Sequence, residues 1–297
     1  MSNARTTQLA RPAKLSAYIS LTKPDVSFLV LMTTAAGFYM GARGPMPWLH
    51  MTHVVFATLL IAAGTAALNH YIERESDRSM RRTASRPLPS GVLTPTEALR
   101  FGVVLSIAGA LDLYFVAGGL ACLLGVFTCL SYLLAYTPLK KRTVWATFIG
   151  AIPGAVPPMI GWTAATGKLD AGAWLLFAIL FLWQFPHFHA ISWMYREDYA
   201  RAGILMLPVV DKDGTRTFRQ IILYASALIA VSLLPAVVGF AGVLYFFGAL
   251  VTCTASLQVC LWAATAKTNN RAKWLMHATV LHIPILLGLM MYDKLPR

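Results

Sequence analysis

Charge is scarce in this chain. Only 12 of its 297 residues are acidic, all charged residues together make up 12%, and hydrophobic residues make up 57%. A chain of this composition, with a mean hydropathy of +0.61, does not form a soluble globular domain. We therefore expect an all-α membrane protein without a separate soluble domain. Residues 1–297 would form one polytopic domain, with residues 1–15 as a flexible cytoplasmic tail.

Cysteine is equally rare, and its spacing excludes common site types. The four cysteines form no CxxC and no Cys/His metal pattern, and all lie inside apolar runs, where small packing residues are expected.

The formal net charge of +13 could suggest nucleic acid, but the basic residues are spread over the loops between apolar runs. Such loops are the ordinary case beside membrane spans. We expect a lipid bilayer as partner and no nucleic acid.

Long apolar runs make up much of the sequence. Runs of about 20 apolar residues are long enough to cross a bilayer as helices. Of the 25 Lys and Arg, only Arg43, Lys168, Lys294 and Arg297 fall on one side, which leaves 21 on the other. This asymmetry predicts a cytoplasmic N-terminus and an outside C-terminus. Nine spans are predicted, at residues 25–42, 52–72, 97–117, 119–136, 144–164, 171–193, 217–238, 242–266 and 273–292.

Three acids and five arginines crowd into residues 69–89, at the end of the second span. Asn69, Glu73 and Asp77 are spaced by four residues, so they share one helix face, while Glu75 points elsewhere. Such hard oxygen donors suit Mg²⁺, with substrate phosphates at its other positions, and the arginines that follow match phosphate oxygens. The alternative is a solvated loop with internal ion pairs and ordinary positive-inside arginines.

A second polar cluster ends the sixth span. Helical projection places Gln184, His187 and Asp198 near one face, and an ionisable residue at membrane depth is a candidate functional residue. His187 could bind a metal or a haem iron, act as a base, or bond a neighbouring helix. Lys140 and Arg142, in the loop after the fourth span, could contact a diphosphate or a propionate, or could mark topology alone.

These motifs resemble those of the intramembrane UbiA-type prenyltransferases. The pattern Asn69-x3-Glu73-x3-Asp77, followed by Arg82 and Arg86, is similar to their first acidic motif. Further stretches are similar to the protohaem IX farnesyltransferases (haem O synthases) within that superfamily. They are TKP at residues 22–24, YTPLKKRT at 136–143, IGAIPGAVPPMIGW at 149–162, and WQFPHF with DYARAG within 183–203.

The resemblance implies a bundle of about nine helices around a central cavity in the bacterial plasma (inner) membrane, with the site facing the cytoplasm. It implies transfer of a farnesyl group from farnesyl diphosphate to a vinyl group of haem B, with water addition, giving haem O. The product could pass to a haem A synthase or to terminal oxidase assembly. By position, Asn69, Glu73, Asp77 and Asp198 would be catalytic and hold Mg²⁺, Arg82, Arg86, Lys140 and Arg142 would bind the diphosphate, and His187 and Gln184 would contact the haem.

Three departures and two alternatives accompany this expectation. Glu73 stands where Asp is usual, and Leu205 stands where Pro is usual. Ala202 stands four residues after Asp198, where the wider superfamily has further acids. One alternative is a sister prenyltransferase with another aromatic or tetrapyrrole acceptor. The other is a membrane transporter, whose fold often shows internal repeats, although no convincing repeat is found here.

Overall fold

The computed structural model describes residues 14–296, so the predicted tail lies almost wholly outside the described residues. The described residues are mainly helical, and a π-helical turn at Ser131–Tyr136 links the fifth and sixth helices. The helices are α1 Lys14–Leu21, α2 Pro24–Gly41, α3 Trp48–Ser79, α4 Pro95–Ala117, α5 Gly119–Leu130, α6 Thr137–Leu139, α7 Ala146–Ala155, α8 Pro157–Thr166, α9 Ala171–Met194, α10 Arg196–Arg201, α11 Leu207–Val210, α12 Thr215–Val237, α13 Val243–Ala266 and α14 Asn269–Tyr292.

Each of the nine predicted spans coincides with helix. Among the described residues, eight helical segments are long and apolar enough to cross a membrane. The helix of the remaining predicted span, α2, has 18 residues and is not one of the eight, so the count of nine stays a prediction. The fifth span is two helices, because Pro157 and Pro158 begin α8 directly after α7, and proline lacks the N–H that would continue the first helix.

Apolar surface outside the bundle agrees with a membrane environment. On α4, Val104, Ile107, Leu111 and Phe115 are all at least half exposed. Their spacing of three or four residues forms one outward stripe, and exposed apolar area of this kind marks a lipid or partner surface. The buried positions of the same helix include Gly102 and Gly109.

Small residues let neighbouring helices approach closely, as is common in membrane bundles. A Cβ added to Gly37 on α2 would lie 2.0 Å from the Pro158 carbonyl oxygen on α8. A Cβ on Gly161 would lie 1.9 Å from the Thr34 carbonyl oxygen in return. The pairing of α2 with α8 therefore depends on glycine from both sides.

The helices pack into a ring, and the segments that connect them meet at its two ends. In the ring, α2 packs on α3, α3 on α4, α4 on α5, α5 on α7, α7 on α9, α9 on α12, α12 on α13, α13 on α14, and α14 returns to α2. At one end the Leu205 amide bonds the Lys140 carbonyl at 2.7 Å. At the other, Lys294 Nζ bonds the Tyr39 carbonyl at 2.6 Å. The loops after the fourth and sixth predicted spans therefore meet at one end, while the alternation of all the loops and the side that faces the cytoplasm stay predictions.

Replacing Gly161 by Val should lower the thermal stability of the detergent-purified protein. Overpacking costs typically about 1–3 kcal/mol, and here the obstructing atom is backbone. Gly288→Val is the matched control, because a Cβ there meets nothing within 4 Å and should leave the melting temperature nearly unchanged. Equal melting temperatures for the two variants would contradict the close packing of α2 on α8.

Candidate active site

The predicted donor stripe lies on one continuous helix. α3 runs to Ser79 without interruption, so Asn69, Glu73 and Asp77 occupy successive turns of one face. Asn69 and Asp77 are each 1% exposed. Glu75 is exposed and pairs with Arg78 at 3.1 Å, which agrees with its exclusion from the stripe.

A separate cation contacts each member of the stripe. Lys23 Nζ donates to Asn69 Oδ1 at 2.6 Å, and Lys140 Nζ donates to Glu73 Oε1 at 2.7 Å. Arg86 Nη1 lies 2.8 Å from both carboxylate oxygens of Asp77. Because charge-assisted hydrogen bonds are the strong ones, the three pairs join the loops that carry these cations to α3.

Burial and neighbouring groups set the charge of the two lysines differently. Burial lowers the pKa of Lys23 to about 7, although the Glu73 carboxylate opposes this shift. Burial would also lower the pKa of Lys140, but Tyr136, Glu73 and Tyr132 outweigh it and hold that pKa well above its ordinary value. The ammonium group of Lys140 also lies 4.4 Å from the centre of the Tyr136 ring. Lys140 is therefore a permanent cation beside Glu73.

The second polar cluster joins the first through Asp198. One carboxylate oxygen of Asp198 accepts a hydrogen bond from the backbone N–H of Arg82 at 3.3 Å, and the other pairs with Arg201. The Arg82 guanidinium lies over the Tyr195 ring, 4.9 Å from its centre. Nearby, Met80 packs with Ile204 and Met206 in a small apolar cluster. Asp198 and the segment that follows the stripe therefore lie at the same end of the bundle.

The interpretation of residues 184–198 as one continuous helix was wrong. α9 ends at Met194, and Tyr195, at φ −107° and ψ 20°, separates it from α10. The helical projection therefore does not relate His187 to Asp198. His187 lies deeper in α9, where its Nδ1 is 2.9 Å from Thr279 Oγ1 on α14.

The remaining predicted residues occupy different surroundings. Gln184 Nε2 donates to the carbonyl oxygen of Ala151 on α7 at 3.1 Å, so its amide links two helices. Arg142 is exposed, and within residues 14–296 no hydrogen bond or ion pair joins its side chain to the stripe. Asp211, an acid near the second cluster, accepts from the Thr217 backbone N–H and hydroxyl at 2.7 Å each and so supports the start of α12.

Sequence reasoning assigned no role to Lys23 or Thr137. Lys23 is in the TKP stretch, and its left-handed backbone at φ 48°, directly before Pro24, turns its side chain towards α3. Asn69 Nδ2 donates to Thr137 Oγ1 at 3.2 Å. The signal for both was their presence in TKP and YTPLKKRT, two stretches that carry the resemblance to the family, but spacing alone does not pair them with Asn69.

The donor set fits Mg²⁺ through its chemistry. Two carboxylates and one amide supply only hard oxygen atoms, and Mg²⁺ is usually held by one or two carboxylates together with substrate phosphates. Within the described residues, no group of three or more His, Cys, Asp or Glu side chains forms a metal cluster. The protein oxygens alone are therefore too few for an all-protein cage, and phosphate oxygens would complete the set.

The sequence pattern of the UbiA prenyltransferase family matches residues 30–283. The chain belongs to this family. A relative from Solibacter usitatus named protoheme IX farnesyltransferase is 51% identical over 286 residues, which cover 93% of this chain and 98% of that protein.

Solved structures of UbiA-family proteins share the fold. A structure described as giving insights into the biosynthesis of digeranylgeranylglyceryl phosphate synthase in membranes superposes with a TM-score of 0.77 at 20% identity, over 94% of this chain and 98% of the other. A UbiA homologue from Archaeoglobus fulgidus bound to GPP and Mg²⁺ has a TM-score of 0.68 at 13% identity, over 92% and 99%. At these identities the likeness establishes the UbiA fold for this chain.

Replacing Lys140 by Gln should destabilise the protein, because it leaves the largely buried Glu73 carboxylate without its cation. Breaking a buried pair from one side costs roughly 3 kcal/mol or more. Lys141→Gln is the control, since Lys141 is exposed. Thermal unfolding in detergent measures both, and the double variant Lys140→Gln with Glu73→Gln should recover part of the loss. A Lys140→Gln protein as stable as the control would contradict the pairing.

Proposed function

We propose that this chain transfers the farnesyl group of farnesyl diphosphate to a vinyl group of haem B, with addition of water, giving haem O and diphosphate. The observation that carries the proposal is the cluster of oxygen donors and cations on α3 and its neighbouring loops, in a UbiA-family chain. A prenyl diphosphate needs both groups together. The named relative from Solibacter usitatus supports farnesyl diphosphate and haem as the substrates.

The cations of the site would bind the diphosphate. Arg86 and Lys140 already point at the stripe, and the guanidinium of Arg82 lies at the neighbouring Tyr195. Cleavage of the allylic C–O bond places negative charge on the departing diphosphate. Cations fixed in a poorly hydrated site stabilise that charge as it forms, without reorganising. Arg142, being exposed, would reach the diphosphate only from the outer side.

Asn69, Glu73 and Asp77 would hold Mg²⁺, and Asp198 would contribute from α10. When bound, the ion would neutralise diphosphate charge and act as a Lewis acid on the leaving group. The A. fulgidus homologue with GPP and Mg²⁺ supports this assignment by fold. The protein would present the donors on a rigid helix. The lysine and arginine side chains that pair with these donors would bind the phosphate oxygens instead.

The apolar interior would protect the farnesyl cation. The bundle interior packs Phe38, Met159 and Ile160, among other buried apolar side chains, beyond the polar end. Exclusion of water prevents early quenching of a reactive cation. The electron pair of the haem vinyl group would attack the cationic carbon, and water would then add to the new cation and lose a proton, leaving a hydroxyl group.

The protein would act in the bacterial plasma membrane, with this end of the bundle facing the cytoplasm. The support is the charge asymmetry of the loops, since the polar end carries most Lys and Arg, as expected of cytoplasmic loops. Farnesyl diphosphate, a charged molecule, would then enter from the cytoplasm.

Asp77→Asn and Glu73→Gln should each lower haem O formation by about 100-fold or more, the usual effect of removing a group that stabilises transition-state charge. The assay supplies membranes with farnesyl diphosphate, haem B and Mg²⁺, and the extracted haem is identified by mass. Glu75→Gln is the matched control, because Glu75 is exposed on the same helix and should retain activity. Near-normal haem O formation by the two stripe variants would refute the assignment.

Removing divalent cations with EDTA should abolish the transfer, and added Mg²⁺ should restore it. Full activity in EDTA would contradict the metal assignment.

Offering haem B and an aromatic acid together in the same assay shows which acceptor is farnesylated. A farnesylated aromatic acid in place of haem O would identify a sister prenyltransferase.

A further inference from the structure

We propose that Thr137 is a positioning residue for Asn69, and that its hydroxyl holds the Asn69 amide so that Oδ1, and not Nδ2, faces Mg²⁺. The proposal rests on the proposed function, because it concerns how one of the proposed metal donors is oriented. It is carried by a chain of hydrogen bonds that runs from the π-helical turn at Ser131–Tyr136 to α3.

Towards Asn69, the Thr137 hydroxyl can only accept. Its own proton goes to the Tyr132 carbonyl oxygen at 2.8 Å, and a hydroxyl has one proton. The Thr137 backbone N–H bonds the same carbonyl, whose two lone pairs can take both donors. Thr137 Oγ1 therefore presents a lone pair to α3, and Asn69 Nδ2 donates to it at 3.2 Å.

The π-helical turn determines where this hydroxyl lies. In an α-helix the N–H of residue 137 would bond the carbonyl of residue 133, whereas here it bonds that of Tyr132. The extra residue rotates the side chains that follow by about 100° around the helix axis. Such turns are rare and often lie at functional sites. Thr137, which is 4% exposed, is thereby brought to the 1% exposed Asn69.

Three partners contact the Asn69 amide, and a bound ion would displace two of them. Lys23 Nζ donates to Oδ1 at 2.6 Å, and the amide donates to the Glu73 carboxylate. Mg²⁺ held by Oδ1 and Glu73 would repel the Lys23 ammonium and would take the carboxylate oxygen for itself. Thr137 is uncharged and its proton is already used, so its contact with Nδ2 can remain. Metal ligands are commonly oriented by an outer hydrogen bond of this kind.

The orientation of the amide follows from the same partners. An oxygen in place of Nδ2 would face Thr137 Oγ1 and the Glu73 carboxylate, which both accept hydrogen bonds here. A nitrogen in place of Oδ1 would face the Lys23 amino group, which donates. Asn69 therefore presents Oδ1, the hard oxygen that Mg²⁺ prefers, where a basic group already lies.

Other buried threonines of α3 lack the second contact. Thr58 and Thr65 each donate to a carbonyl oxygen of their own helix, at 2.8 and 2.7 Å. Within residues 14–296, no side chain donates a hydrogen bond to either hydroxyl. The bond back to the helix is thus ordinary for a buried threonine, and acceptance from Asn69 distinguishes Thr137. Thr58 is the matched control, because it lies about three turns of α3 from Asn69.

Binding of Mn²⁺, a spectroscopic substitute for Mg²⁺, tests the role without catalysis. The detergent-purified protein is titrated with inorganic diphosphate present, and electron paramagnetic resonance measures the free ion against a protein-free blank. Thr137→Val keeps the side-chain shape and removes the hydroxyl, so it should weaken Mn²⁺ binding about tenfold or more, the usual effect of losing such a partner. Thr137→Ser and Thr58→Val should bind Mn²⁺ as wild type does.

The Mg²⁺ dependence of haem O formation separates positioning from a merely structural role. Thr137→Val should need about tenfold more Mg²⁺ for its half-maximal rate, yet approach the wild-type rate at saturating Mg²⁺. Its melting temperature should equal that of Thr58→Val, since each variant loses one hydroxyl-to-carbonyl bond. A lower rate at every Mg²⁺ concentration, with an unchanged half-maximal concentration, would contradict the positioning role.

Wild-type Mn²⁺ affinity in Thr137→Val would overturn the inference, and so would an equal loss in Thr137→Ser or in Thr58→Val. Wild type that forms haem O while Thr137→Val binds Mn²⁺ normally refutes only the role of Thr137. The expected pattern of Mn²⁺ affinities in a protein that forms no haem O refutes only the proposed function. Wild type that binds no Mn²⁺ overturns the role of Thr137 together with the metal assignment.

Discussion

The structure depends on pairing buried oxygen donors with cations from other parts of the chain. Glu73 and Asp77 lie on a membrane helix, where an uncompensated charge is costly. Lys140 and Arg86 compensate these two carboxylates, and Lys23 donates a hydrogen bond to the neutral amide of Asn69. Each of the three basic residues comes from a different connecting segment. The same contacts therefore hold the polar end of the bundle together and would also assemble the proposed site.

Those cations are also the groups that a diphosphate would need. A phosphate oxygen and a carboxylate oxygen are similar acceptors for Lys and Arg, so substrate binding would exchange one anion for another at the same donors. The released carboxylates would then be available to Mg²⁺.

Separation of polar and apolar chemistry along the bundle suits the reaction. The leaving group is highly charged, whereas the farnesyl chain and the haem ring are largely apolar. The polar end contains the stripe, and buried apolar side chains such as Phe38 and Met159 fill the bundle beyond it. The diphosphate and the apolar groups would thus each lie in an environment that matches its own polarity.

The sequence by itself determined the membrane class, the helices of the nine spans, the stripe on α3 and the resemblance to a family, because helical period and composition are local properties. It did not determine that Lys23 reaches Asn69, 46 residues away, or that the Arg82 amide reaches Asp198, 116 residues away. Nor did it place the break at Tyr195, the exposure of Arg142 or the bond of His187 to Thr279. Only the tertiary structure decided these, because such contacts depend on how distant helices pack and where loops fold back.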